Sequence, residues 1–125
     1  MMTIHEFNPE IYPRKIWVVK GGTSTQIKDK FCSANSEELY IDDSCDALVC
    51  NVMIKDRTKR LGELIWFPYA KNMTTDKIAH EAVHAAMDIF VDLGCRFDAF
   101  NQEPFAYLVG WVADCIDKVK RNKVE

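Results

Sequence analysis

The chain has 125 residues, of which 48% are hydrophobic and 28% are charged, so neither a disordered segment nor a fibrous repeat is indicated. This length predicts one domain over residues 1–125, and the net charge of −3, without a basic stripe, argues against a nucleic-acid partner. No apolar run is long enough to cross a membrane and the first residues lack a signal-peptide core, so we expect a cytoplasmic protein that does not contact membranes.

The first predicted elements are a strand and a helix. Residues 14 to 20 (RKIWVVK) form a short β-branched and aromatic run that stops at Gly21 and Gly22, which indicates a strand followed by a turn. Residues 23 to 31 are compatible with a helix. Residues 32 to 45 are polar and rich in turn formers, so an irregular connection is expected there.

Two further strands are predicted to form a hairpin. Residues 46 to 54 (DALVCNVMI) and residues 61 to 69 (LGELIWFPY) are apolar runs separated by the charged turn KDRTK. Pro68 cannot donate a hydrogen bond to a neighbouring strand, so it suits a strand end or a sheet edge.

The strongest helix signal lies at residues 74 to 93. Thr74 or Thr75 is a candidate N-cap, Asp76 complements the helix dipole in the first turn, and Gly94 is the expected C-terminal stop.

A last helix is predicted at residues 102 to 121. Asn101 is its candidate cap, and Pro104 is tolerated in a first turn, where a backbone N–H has no intrahelical partner. The resulting order of elements, β, α, β, β, α, α, predicts an α+β domain with a small sheet backed by helices.

The predicted helix at residues 74 to 93 contains two of the three histidines, in the segment HEAVH. At about 100° per residue, His84 lies about 40° around the helix from His80 and one turn along, so both rings point into the same space. Glu81 lies on the flank of that face, where its carboxylate can act as a base without ligating a metal. The surrounding residues are apolar, which predicts a buried helix whose histidines need a partner. The pattern predicts a metal site with Zn²⁺ as the cofactor.

The HEAVH segment, residues 80 to 84, resembles the active-site helix of zincin metallopeptidases. The strand-then-helix order of residues 61 to 93 is similar to the family's minimal core, and the resemblance is strongest over residues 46 to 117. Met87 and Phe90 stand where metzincins have a glycine and a third histidine, so the segment is closer to the gluzincin, thermolysin-like branch. In length the chain looks like the small zinc peptidases of phages and mobile elements. The resemblance implies a minimal zincin-like domain, with a mostly antiparallel sheet packed on the HExxH helix and a C-terminal helix.

The resemblance implies further site residues. In this branch the third zinc ligand is a glutamate on a second helix, and the similar segment NQEPFAY, residues 101 to 107, implies Glu103 for that role. Tyr107 is a candidate to accept a histidine N–H or to polarise a substrate carbonyl, or else simply packs and donates one hydrogen bond. Asp88 is a candidate to fix the histidine tautomer by accepting its second N–H, or else is a surface aspartate. The alternative third ligands are Asp92, Cys95 and Asp98. The alternative donors to the oxyanion are Tyr69 and Arg96.

The function implied is a zinc-dependent metallopeptidase that acts on a peptide or protein substrate. His80, His84 and Glu103 would hold Zn²⁺ and Glu81 would be the general base. The substrate would add to the edge of the sheet at residues 62 to 67, unless these residues form an ordinary core strand. Two other hypotheses are a non-catalytic zinc-binding interaction or regulatory module, and a protein without metal whose histidines are hydrogen-bonded in the core.

Overall fold

Five strands and three helices form the fold in the computed structural model, which describes residues 1–124. The strands are β1 (Thr3–Phe7), β2 (Lys15–Lys20), β3 (Phe31–Cys32), β4 (Leu48–Ile54) and β5 (Leu61–Phe67). The helices are α1 (Ser24–Lys30), α2 (Thr75–Asp92) and α3 (Glu103–Lys120). The predicted α+β class is confirmed. Glu125, the last residue of the predicted domain, lies outside the described residues.

The strands form one mixed sheet in the order β1-β2-β5-β4-β3. β2 and β5 pair in parallel, and the other neighbours are antiparallel. The central strands are apolar along their length because helices cover both faces of the sheet. Ile16 and Val18 face the core shared with α2 and α3, whereas Trp17 and Val19 face the second core, which contains Ile27 of α1.

Every strand and helix predicted from the sequence is present, with ends that move by no more than two residues. The hairpin of β4 and β5 is confirmed by their antiparallel pairing. The sequence analysis missed β1 and β3. β1 mixes polar and apolar residues at the sheet's edge, and β3 is only two residues long, so neither carries a sustained periodic signal.

The expected substrate edge at residues 62 to 67 is wrong, because these residues belong to β5 in the interior of the sheet. A free edge exists on β4 instead. The short β3 pairs only with Met53 and Ile54, so residues 48 to 51 have a neighbour on the β5 side alone. No other backbone group in residues 1–124 hydrogen-bonds to their outer side. We call residues 48 to 51 the open edge.

The ends of α2 follow from its sequence. Thr74 stands at the N-cap position, although its hydroxyl donates to the Asp76 carboxylate (2.5 Å) rather than capping a backbone N–H. At the other end Gly94 has a φ of 71°, and the N–H of Cys95 bonds to the carbonyl of Phe90 (2.8 Å). This is the Schellman arrangement that a glycine at this position permits, so the predicted C-terminal stop is confirmed.

α3 runs antiparallel to α2. Phe105 in its first turn stacks on Phe90 near the end of α2, while Ala113 and Asp117 further along share a surface pocket with Ile78 at the beginning of α2. Pro104 lies in the first turn as predicted. The expected cap Asn101 is wrong by one residue, because Gln102 holds the N-cap position, without a capping side-chain bond.

The prediction that α2 is buried around most of its circumference is wrong. One side packs on the sheet and a second on α3, but the remaining side faces outward, with Val83 42% and Val91 70% exposed. His80 and His84 lie on this exposed side. Water can therefore solvate both rings, and burial alone does not demand a metal partner for them.

Within residues 1–124, the helices all lack the combination of length and apolar character that crossing a bilayer requires.

Candidate metal centre

The structure brings His80, Glu81 and His84 together, as the helical spacing predicted. The Nε2 atoms of the two histidines are 3.1 Å apart, and their rings meet edge to face with centroids 4.7 Å apart. A carboxylate oxygen of Glu81 completes a group in which all three ligand atoms lie within 4.8 Å of one another. All three side chains come from two turns of one helix, so a local element fixes their arrangement.

The donor set fits a divalent cation. Two imidazole nitrogens facing each other at 3.1 Å need a proton or a cation between their lone pairs. Zinc binds imidazole nitrogen at about 2.0 to 2.1 Å, so one ion can lie in contact with both atoms. The Oε2 atom of Glu81 is buried and has no hydrogen-bond partner among residues 1–124, so no hydrogen bond within this part of the chain holds that oxygen in place.

The predicted third ligand, Glu103, is not part of this group. It opens α3, and Phe105 in the same turn contacts Phe90, which lies six residues, about 9 Å of helix axis, beyond His84. The histidines face outward while α3 packs on another side of α2, so Glu103 as a ligand stays a prediction that this helix arrangement does not support. The alternative ligands also lie outside the group: Asp92, Cys95 and Asp98.

The other predicted site residues, Tyr107 and Asp88, have neighbours outside the histidine group. Tyr107 is 74% exposed and lines a cavity of about 500 Å³ between α3 and the β1–β2 connection, with Trp111 and Tyr12 among its walls. Asp88 lies one turn beyond His84 and close enough to the buried carboxyl group of Glu63 to raise the pKa of that group. Neither predicted role toward the metal site is supported by these positions, and both stay predictions.

Glu63 in the centre of β5 is a buried carboxyl group that the sequence analysis did not single out. Its side chain is 1% exposed, and its Oε1 atom has no partner within the described chain. The Asn51 amide nitrogen, turned inward, donates to Glu63 Oε2 and to Asp92 Oδ2 (2.8 Å). Arg14 Nε lies 3.9 Å from the same Asp92 oxygen. One guanidinium therefore borders a cluster of three carboxyl groups, those of Glu63, Asp88 and Asp92.

The carboxyl cluster holds a proton. Burial raises the pKa of Glu63 to about 11, and the hydrogen bond and negative charge of Asp88 and the charge of Asp92 act in the same direction. Glu63 is therefore protonated at neutral pH. Burial also raises the pKa of Asp92, with Arg14 opposing the shift. Asp88 acts on the pKa of Glu63 because the turn of α2 that follows the HEAVH segment lies next to β5.

A cavity of about 410 Å³ adjoins the histidine pair. Its walls come from the residues before β4 and the first turns of α2: Asp46, Ala47, Asp76, Lys77, His80 and Glu81. Lys77 Nζ lies 3.3 Å from Asp46 Oδ2. The hydroxyl of Thr74 donates to Asp76 and holds the pKa of that carboxyl below its ordinary value, so Asp76 is ionised. The cavity is negatively charged and open to the same side as the histidines.

One of the missed residues did carry a signal in the sequence. Glu63 is the lone charge in LGELIWF, and strand alternation puts it on the same face as Ile65 and Phe67, which are buried. The sequence carried no such signal for Asp46 and Asp76, because the cavity joins two segments that are thirty residues apart in the chain.

Comparisons with protein-family models, with curated proteins and with solved structures find no match to this chain. The likeness to zincins therefore rests on the HEAVH segment and on the arrangement of its side chains.

Proposed function

We propose that the protein is a zinc-dependent metallopeptidase, in which His80 and His84 hold zinc and Glu81 is the general base. The observation that carries this proposal is the 3.1 Å separation of the two Nε2 atoms with the Glu81 carboxylate beside them. Glu81 makes no structural hydrogen bond through its buried oxygen in residues 1–124, which favours a chemical role for it over a scaffolding one.

Each component of the proposed site has a separate role. Zinc in this position would supply an acidified water and a Lewis acid for the peptide carbonyl. Glu81 accepts the proton of the water and returns it to the leaving amine. The substrate lies as an added strand along the open edge of β4, because Asp46 and Ala47, which lead into that edge, border the same cavity as His80 and Glu81.

A second candidate is a non-catalytic zinc-binding module that acts through interaction or regulation. The position of Glu103 favours it, because within residues 1–124 the group at the centre consists of two histidines and the flanking Glu81. Catalytic zinc sites ordinarily have three protein ligands and one open position.

Metal content tests the site. Protein purified without a polyhistidine tag is expected to bind about one zinc per chain by mass spectrometry of the metal, and His80→Ala or His84→Ala should lose it. The matched control is His5→Ala, because His5 lies on β1, at the opposite side of the sheet from β4. Equal zinc in all four proteins, or none in the wild type, would exclude this centre.

Cleavage separates the two candidates. We expect the zinc-loaded wild type to cut members of a peptide library and Glu81→Gln to cut them roughly 10² to 10⁴ times more slowly while keeping its zinc. Zinc binding without cleavage by either protein would favour the non-catalytic module. Equal cleavage by both proteins would remove Glu81 from the mechanism.

A further inference from the structure

The open edge of β4 adjoins the most acidic stretch of the chain. Residues 37 to 46 (EELYIDDSCD) contain five carboxylates and no lysine or arginine. The net charge of the whole chain is −3, so this stretch carries more negative charge than the entire chain. It belongs to the connection that leaves β3 beside Met53 and returns at Leu48, so the two ends of this connection lie at the two ends of β4.

Most of this charge is available to a partner. Glu38 lies 3.9 Å from Lys28, and Asp46 lies 3.3 Å from Lys77. The remaining carboxylates form no ion pair within residues 1–124: Glu37, Asp42 and Asp43. Hydrogen bonds from the backbone N–H and hydroxyl of Ser44 lower the pKa of Asp42, so this exposed group is ionised.

The α2 side of the cavity beside His80 is acidic as well. Asp76 and Glu81 on α2 face the cavity of about 410 Å³, which Asp46 closes from the strand side. Lys77 is the one cation among the residues lining that cavity, and it is paired with Asp46. A strand lying on the open edge would therefore have carboxylates on both sides.

We propose that the substrate segment bound by the open edge is an extended, basic peptide with lysine or arginine at alternate positions. This inference rests on the proposed function and names the substrate class of the same site. Backbone hydrogen bonds to the unpaired edge supply the sequence-independent part of binding. Complementary charge selects basic peptides over acidic ones. Because the carboxylates are exposed, this attraction acts over only about 8 Å at physiological salt.

Strand geometry explains the alternation. Successive side chains of an added strand point to opposite faces of the sheet. Those on the α2 face reach the cavity beside His80, where a long cationic side chain meets Asp46 and Asp76. Those on the other face lie on the side of the second core, against which Ile41 and Cys45, the neighbours of Asp42 and Asp43 in the chain, are packed.

Binding to the Glu81→Gln protein tests the proposal without cleavage. The probe is a fluorescein-labelled ten-residue peptide of alternating valine and arginine, compared by fluorescence anisotropy with the same peptide carrying glutamate for arginine. We expect the basic peptide to bind at least tenfold more tightly at 50 mM salt and to lose most of that advantage at 500 mM. Equal affinity for the two peptides would overturn the proposed charge selection.

Two matched controls locate the binding surface. Asp42→Asn combined with Asp43→Asn should reduce the preference several-fold, whereas Asp114→Asn combined with Asp117→Asn, which removes the same charge from α3, should leave it unchanged. N-methylation of alternate backbone amides in the peptide should abolish binding, because it blocks strand pairing and keeps the charge. Unchanged binding of the N-methylated peptide, or equal effects of the two double variants, would overturn docking at the open edge.

Failure of this inference and failure of the proposed function give different results. Zinc binding and cleavage without preference for the basic peptide would overturn only the substrate class. Tight binding of the basic peptide by a protein that neither binds zinc nor cuts peptides would support the basic-peptide surface and remove the enzyme.

Discussion

At the scale of single residues, Glu63 is the residue whose chemistry departs furthest from its ordinary behaviour. A charged side chain in the middle of a central strand is costly to bury, and here protonation of Glu63 removes part of that cost. One carboxyl oxygen still has no partner among residues 1–124. The arrangement therefore gives β5 and α2 a specific contact. It also lowers the stability of the fold.

Replacing this group should stabilise the fold at neutral pH. In the unfolded chain Glu63 ionises near its ordinary pKa of 4.5, whereas in the folded protein its pKa is about 11, so unfolding between these values releases a proton. The free energy of unfolding then falls as pH rises, by at most about 1.4 kcal/mol per pH unit for one proton. Glu63→Gln stays neutral at every pH, so its melting temperature should exceed that of the wild type at pH 8 and change less between pH 5 and pH 9.

Glu6→Gln is the matched control for this measurement. Arg60 lowers the pKa of Glu6 by donating a hydrogen bond to it, so the contribution of Glu6 is fully present above its ordinary pKa of 4.5 and is lost only as pH falls below it. Its removal should leave the slope between pH 5 and pH 9 unchanged. A Glu63→Gln melting temperature that falls with pH as steeply as that of the wild type would show that Glu63 is not the proton carrier.

At the scale of elements, α2 is the helix on which the candidate site depends, and its end is set by Gly94. The φ of 71° lies in the left-handed region, and a Cβ added there meets no atom within 4 Å. Any cost of substitution is therefore conformational rather than steric.

Gly94→Ala should lower the free energy of unfolding by about 1 kcal/mol, because alanine is strained in the left-handed conformation. The control is Gly110→Ala in the middle of α3, where an added Cβ also meets nothing within 4 Å. That change should stabilise the protein by about 0.5 to 1 kcal/mol, because alanine favours the helix over glycine. Chemical denaturation of both variants checks the opposite signs, and two changes of the same sign would contradict this account of the helix end.

At the scale of the whole molecule, the candidate metal centre lies outside both hydrophobic cores. The core residues are apolar side chains from the sheet and the helices, and His80 and His84 belong to neither cluster. The fold therefore does not need a metal to bury its core, and the metal adds stability only through preferential binding to the folded state.

Zinc should raise the melting temperature without being required for folding. At a free zinc concentration one hundred times the Kd, the expected stabilisation is about 2.7 kcal/mol. A chelator should remove this increment and leave a cooperative unfolding transition by circular dichroism. His84→Ala should show no zinc-dependent shift, and His5→Ala should show the full one. Loss of the transition on chelation would mean that the metal is structural.

The sequence by itself determined the three longest strands, the three helices and how the HEAVH side chains are arranged, but not β1 or β3. These are local properties, because strand alternation and the 3.6-residue helical repeat are complete within a few turns of chain. The apolar run of β5 was sufficient to predict that strand, and the glycine after α2 was sufficient to predict where that helix ends. The spacing of His80 and His84 was sufficient to predict their contact.

Only the tertiary structure decided what surrounds the histidine pair. Strand order placed β5 inside the sheet and left β4 with the open edge, and the packing of α3 placed Glu103 near the far end of α2. It also brought Asp46 to Asp76 and Glu63 to Asp88, pairs separated by about thirty and twenty-five residues. Such contacts depend on which apolar faces bury each other across the molecule, and no local window of sequence contains that information.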